Sequence, residues 1–178
     1  MKWLDLSDRS NDLNAGQSFP WPEMTPQDWL MEICALSGLV AMLAYVAFHY
    51  SRLPDMIPVH LDTRGNAEGF GNREQVWILP GISFLLYLIM PQVLRFKMIL
   101  NSSRFLYRVR TQKQFNGRIR LLRFQKMILI WGFFNLSATT IRLSLHPGTG
   151  ISAWFFPVFI CLLVIPSLSY LIFLKNNP

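Results

Sequence analysis

The sequence predicts an all-α integral membrane protein with four transmembrane helices and a structured extracytoplasmic loop between helices 1 and 2. Three observations predict it. Four apolar runs, at about 29–50, 76–96, 121–143 and 151–174, are each about 20 residues or longer, enough to cross a hydrocarbon core of about 30 Å at about 1.5 Å per residue. Hydrophobic residues make up 52% of the 178 and charged residues only 15%, and a soluble chain this small could not bury four such runs. All ten acidic residues lie at or before Glu74, whereas residues 95–126 hold ten basic residues and no acidic one. That asymmetry makes the net charge of +7 a topological signal, not a nucleic-acid footprint. By the positive-inside rule the basic block, which joins the second and third runs, is cytoplasmic. Both termini are then cytoplasmic, and the 53–74 and 144–150 loops lie outside. The 144–150 loop carries no Lys or Arg, as that side should be.

The organisation follows in order: a cytoplasmic tail at 1–28, two spans with a motif loop (51–75) at 29–96, a basic cytoplasmic loop at 97–120, and two further spans at 121–178. The tail is no cleavable signal peptide, because its apolar run starts too late. It reads as a flexible segment, with a short surface helix through Trp3, Leu4 and Leu6 as the alternative. Thr25, Pro26 and Asp28 form a helix start: an N-cap, a proline at the first helical position and an acid in the first turn. In the first span, Ala35, Ser37, Gly38, Ala41 and Ala44 suit close helix packing, and Glu32 reaches toward the cytoplasmic interface. His49 and Tyr50 mark the outer interface.

The second span opens near Val76 and Trp77. Pro80 falls in its first turn, and Pro91 should kink the helix or end it near Met90. In the basic block, Ser102 or Ser103 caps a short helix, and Asn116-Gly117 signals a turn. Arg104, Arg108, Arg110, Lys113, Arg118, Arg120, Arg123 and Lys126 are expected to contact anionic lipid headgroups, or else an acidic partner. The third span carries Asn135, Ser137, Thr139 and Thr140, with Arg142 at its outer end. Asn135 reads as a hydrogen bond between helices. No carboxylate or lysine is mid-span, which argues against a pump or proton-coupled transporter. The fourth span holds Pro157 and Pro166, with Trp154 and Phe155 at one interface and Lys175 at the other. Cys34 and Cys161 fall inside spans and read as packed thiols. There is no Walker sequence, nucleophile elbow, His-Glu-x-x-His or paired CxxC.

The 53–74 loop, LPDMIPVHLDTRGNAEGFGNRE, has the densest set of turn residues and ionisable groups in the chain. Pro54, Pro58, Gly65, Gly69 and Gly71 constrain or free the backbone at short intervals. If the segment near residue 60 is extended, His60 and Asp62 project to one side, and Glu68 can fold back toward them. One nitrogen and two carboxylates is a divalent-metal set. The competing reading, and the preferred one, is structural: Asp62 caps the turn near Arg64, and His60 donates to a carbonyl or to Asp62.

This loop resembles the signature of a bacterial membrane family, domain of unknown function 1648, which includes the N-terminal part of SdpI-type immunity proteins. Leu53, Pro54, Ile57, Pro58, His60, Gly65, Gly69 and Phe70 match the pattern. Leu61 stands where an aromatic is usual, Asp62 for Asn, Glu68 at the acidic position and Arg73 for Lys. The resemblance covers the first span, the loop and the second span. It implies a non-enzymatic immunity or sensor protein of the bacterial inner membrane. Its outer loop would recognise an extracytoplasmic ligand, such as a peptide, through Pro54, Pro58, His60, Asp62, Gly65, Glu68 and Arg73. No cofactor and no nucleic acid are expected. The alternative is an accessory subunit of a larger membrane complex, held by a cytoplasmic or membrane partner.

Overall fold

The computed structural model describes residues 22–61, 67–95, 111–146, 152 and 154–176. The first helix, α1 (Pro26–Tyr50), starts as the sequence predicts. The Asp28 N–H donates to Thr25 Oγ1 at 3.3 Å, and the Thr25 N–H donates to Asp28 Oδ2 at 2.9 Å, a reciprocal capping box. Ser51 ends the helix.

The segment after α1 is not a plain loop, and the chain is not all α. Strands β1 (Met56–Leu61) and β2 (Ala67–Asn72) pair antiparallel. The Arg73 N–H closes the base of this hairpin on the Asp55 carbonyl at 3.0 Å. From that bond the register runs Met56 with Asn72, Ile57 with Gly71 and Pro58 with Phe70. Hydrogen-bonded pairs alternate with non-bonded ones, so Pro58, three pairs on from the bonded Asp55–Arg73 pair and out of phase with it, sits where no N–H has to reach β2. A 3-10 turn (Arg73–Trp77) then leads into α2 (Ile78–Arg95). Pro80 lies in the first turn of α2, and the helix continues through Pro91 for another turn instead of ending near Met90.

The third helix, α3 (Gln112–Leu145), starts nine residues before the expected 121, and Asn116-Gly117 is helical. A second capping box accounts for this. The Gln114 N–H donates to Thr111 Oγ1 and the Thr111 N–H donates to Gln114 Oε1, both at 3.3 Å. One turn on, the Gln112 amide donates to Asn116 Oδ1 at 2.7 Å. Gly117 then lies against the Tyr170 ring, so tertiary packing uses the glycine that suggested a turn. At 34 residues, α3 is about 50 Å long and overreaches a hydrocarbon core of about 30 Å by roughly four turns. The last helix is α4 (Phe155–Asn176), with Pro157 in its first turn and Pro166 inside it. All four helices are long and apolar enough to cross a membrane, the signature of a multi-pass membrane protein.

Helix α3 is the spine, since α1, α2, α4 and β1 all pack on it. Its closest seam is with α1. Ala35, Leu39 and Met42 bury against Ile130, and Gly38 lets the Trp131 indole approach until its Nε1–H donates to the Cys34 carbonyl at 3.0 Å. Met42 is fully buried, and its sulfur accepts hydroxyls from Ser137 of α3 at 3.6 Å and Ser83 of α2 at 4.0 Å. Of the small residues expected to pack, Ala35 and Gly38 do so, whereas Ser37 and Ala44 face outward. The Asn135 side chain is exposed and bridges no helices; its carbonyl accepts the Thr139 hydroxyl at 2.9 Å. Both cysteines are free, and Cys161 is exposed on α4 instead of packed.

Gly132 of α3 is buried where the Phe159 ring of α4 lies across it, and a Cβ there would overlap the ring. Phe159 is itself stacked on Phe155 at 5.6 Å, with the planes 10° apart. Gly132→Val should therefore push α4 off α3 at a cost of about 1–3 kcal/mol. A thermal melt in detergent should show the loss, and an unchanged midpoint would mean the Phe159 ring swings away freely.

Candidate functional site

The bundle has two chemically distinct ends. At one end the hairpin is bolted to the helices by apolar residues. Ile57 of β1 is 1% exposed and packs with Leu53, Val76, Val46 of α1 and Ile141 of α3. Tyr45, Tyr50, Val59 and Leu145 close around that cluster. The clamp is one-sided. Met56 and Phe70 remain more than half exposed, a large apolar pair left open on a segment this small, with Phe70 also at the edge of the cavity beneath the hairpin.

The residues expected to bind a ligand divide as follows. Pro54 and Glu68 are exposed, and Pro58 is buried. The Arg73 guanidinium lies 5.6 Å over the Tyr50 ring and 3.8 Å from Asp55. Because the Asp55 side chain is 94% exposed, that ion pair contributes little. Tyr50 in turn meets Trp77 with ring centroids 6.0 Å apart, so Arg73, Tyr50 and Trp77 make one aromatic-cationic corner at the base of the hairpin. Asp62, Gly65 and the side chain of His60 lie outside the described residues. Among the described residues no three His, Cys, Asp or Glu side chains come together as a metal set.

Under the hairpin is a cavity of about 690 Å³. Its roof is Ile57, Pro58, Val59 and Phe70, with Gln75 and Val76 from the 3-10 turn. Leu136, Ser137 and Thr140 of α3 form the floor. Ile78 and Leu79 of α2 wall one side and Phe156 of α4 the other. The hairpin thus roofs a half-open, mostly apolar chamber, which the spacing of turn residues alone did not reveal.

At the other end is an ionic cluster. Arg123 Nη1 of α3 lies 3.0 Å from Asp28 Oδ1 of α1, and its Nε lies 3.9 Å from Glu32 Oε1. Lys126 Nζ donates to Glu32 Oε2 at 2.6 Å and sits 4.7 Å over the Tyr87 ring of α2. Arg120 adds a looser contact, 3.5 Å from Asp28, and donates to Thr25 Oγ1 at 3.3 Å. The side chains of Arg123 and Lys126 are only 8% and 3% exposed. This corrects their assignment to a lipid- or partner-facing surface: their acidic partner is α1 of the same chain. Burial explains the choice, since a charge withdrawn from water needs a counter-charge at contact distance. The sequence does carry a signal for it. Asp28 and Glu32 are four apart on α1, and Arg120, Arg123 and Lys126 are three apart on α3, so each set shares a helix face.

Outside the cluster, Lys113 lies 5.7 Å over the Phe173 ring of α4 and is exposed, and Arg118 is part-buried. Arg104, Arg108 and Arg110 lie outside the described residues, as do Ser102, Ser103 and the tail with Trp3, Leu4 and Leu6. The C-terminal half of α4 is tied to the first half of α3 by the Tyr170 hydroxyl, which donates to the Gln114 carbonyl at 2.7 Å, and by Gln125, which donates to Ser167 Oγ at 2.7 Å.

Residues 38–84 match the family described as Domain of unknown function (DUF1648). The match runs from the middle of α1 through the hairpin into α2, so it takes in the hairpin clamp and leaves α3 and α4 outside. No curated protein and no solved structure matches the chain.

Proposed function

We propose that this chain is a non-enzymatic, multi-pass protein of the bacterial inner membrane, of the SdpI-like immunity or sensor kind, whose hairpin is an extracytoplasmic recognition element. The observation that carries the reading is the one-sided clamp: Ile57 is locked into the bundle while Met56 and Phe70 on the same two strands stay open. A tether between helices has no use for an anchored strand pair with outward aromatic and thioether groups, whereas a docking surface does. The family match supports it, because its 47 residues centre on the hairpin with the adjoining parts of α1 and α2 and leave out α3 and α4. The orientation rests on charge: Lys113, Arg118, Arg120, Arg123 and Lys126 all lie at the end opposite the hairpin, so the positive-inside rule puts the hairpin outside.

The test uses two variants of the full chain, Met56→Ala with Phe70→Ala, and His60→Ala with Asp62→Ala. Both should insert normally. A partner recovered from native membranes with the wild type in mild detergent should fall by about tenfold or more with the first variant, as for loss of a central apolar contact. The protective or sensing phenotype should fall with it. A partner and phenotype retained in both variants overturn the recognition reading and favour an accessory subunit held through its helices.

A further inference from the structure

We infer that the cavity under the hairpin holds an acyl chain of a bilayer lipid, which enters sideways between α2 and α4. The chamber is within the size range of small-molecule sites. Its wall is mostly apolar, with Gln75, Ser137 and Thr140 the polar side chains of its lining. Ser137 is the most buried polar residue on the floor, and its hydroxyl is directed to the Met42 sulfur at 3.6 Å. A stable water needs two to four polar partners, which leaves a filling of water poorly held here. An unfilled apolar chamber forfeits dispersion contacts along every wall, so an apolar occupant is favoured.

The surroundings select the occupant. The two walls belong to helices whose outward faces are apolar and open. Ile78, Ile82 and Leu85 on α2 are exposed, and so are Val158 and Leu162 on α4. In a membrane those faces lie in hydrocarbon, so the material nearest the gap between the helices is lipid tail. The polarity of the chamber also suits an amphiphile. Its one amide side chain, Gln75, is at the roof against Gly71 of β2; the side walls, Ile78, Leu79 and Phe156, are aliphatic and aromatic, and the floor adds the Ser137 and Thr140 hydroxyls. A lipid lying with its head near the hairpin and one tail beneath it satisfies both ends. The roof residues Pro58 and Val59 then rest on lipid, which couples the position of the hairpin to the occupancy of the chamber. This inference does not depend on what the outer face of the hairpin recognises.

The full chain is reconstituted in phosphatidylcholine and phosphatidylglycerol vesicles containing a trace of phospholipid with a diazirine in the middle of one acyl chain. After irradiation, labelled residues are located by mass spectrometry. Labelling should concentrate several-fold on Leu136, Thr140 and Phe156 over the outward positions Leu85 and Ile165. Thr140→Trp and Leu79→Trp fill the chamber from different walls, and each should remove the cavity label while leaving the outward label unchanged. If one variant fails to fold, the other still decides. Equal labelling of cavity and outward positions, or cavity labelling that survives the filled chamber, overturns the inference.

Discussion

Lys126→Ala should lower the stability of the bundle by about 3–5 kcal/mol, the usual cost of removing one partner from a buried ion pair. The Lys126 ammonium lies 2.6 Å from Glu32 and 4.7 Å over Tyr87, with the side chain 3% exposed. Truncation leaves the Glu32 carboxylate with Arg123 at 3.9 Å, a contact already shared with Asp28. The loss is mostly the desolvation of an unmatched charge, so it should be recovered by neutralising both partners. Lys126→Met combined with Glu32→Gln keeps the shapes, removes both charges and should return most of the wild-type stability. Thermal melts of the wild type, Lys126→Met, Glu32→Gln and the double variant in detergent give the coupling directly. Additive single effects would mean that the two charges do not meet in the folded bundle. The same experiment tests what α1 and α3 share at this end: the acids come only from α1, the bases only from α3, and α2 contributes the Tyr87 ring.

Ile57→Ala should have the second largest effect, about 2–5 kcal/mol, and it should be confined to one place. Ile57 is the most buried of the described hairpin side chains and packs with residues of α1, α3 and the 3-10 turn. A two-stranded hairpin is marginal without a surface to pack on. Losing its anchor should release both strands while the α1–α3 seam, with Ala35, Leu39, Met42 and Ile130, stays intact. Backbone hydrogen exchange separates these outcomes. Amides of β1 and β2 should exchange faster, and those of α1 and α3 should not. Unchanged protection in the strands would show that the hairpin holds itself together. The contrast with Lys126 is informative, since that variant should loosen the far end of the bundle and leave the hairpin protected.

Some features were legible from local chemistry because one helical turn or one long run fixes them. The four spans follow from the length of their apolar runs, and the start of α1 follows from Thr25, Pro26 and Asp28. The importance of the 53–74 segment follows from its prolines and glycines. Other local signals were outvoted. Asn116-Gly117 is an ordinary turn signal in isolation, yet a capping box five residues upstream and the Tyr170 ring beside Gly117 keep it helical. Pro91 costs α2 a hydrogen bond, but the helix continues past it. In the motif segment, Pro58, Gly69 and Gly71 lie inside the two strands of a hairpin that the sequence alone left as a loop, because strand pairing depends on two stretches finding one register.

The amino-acid sequence by itself determined the membrane class, the number of long apolar helices and the family resemblance of the hairpin region, since each depends on composition or order within one stretch of chain. Only the tertiary structure decided that Arg123 and Lys126 turn inward, that Ile57 bolts the hairpin to α1 and α3, and that a chamber lies beneath it. Those features arise where residues about 90 positions apart meet, as Glu32 and Lys126 do. A side chain's role there is set by what the opposite helix places against it: a basic residue is a surface group facing water or headgroups, and a structural ion when a carboxylate waits across the seam.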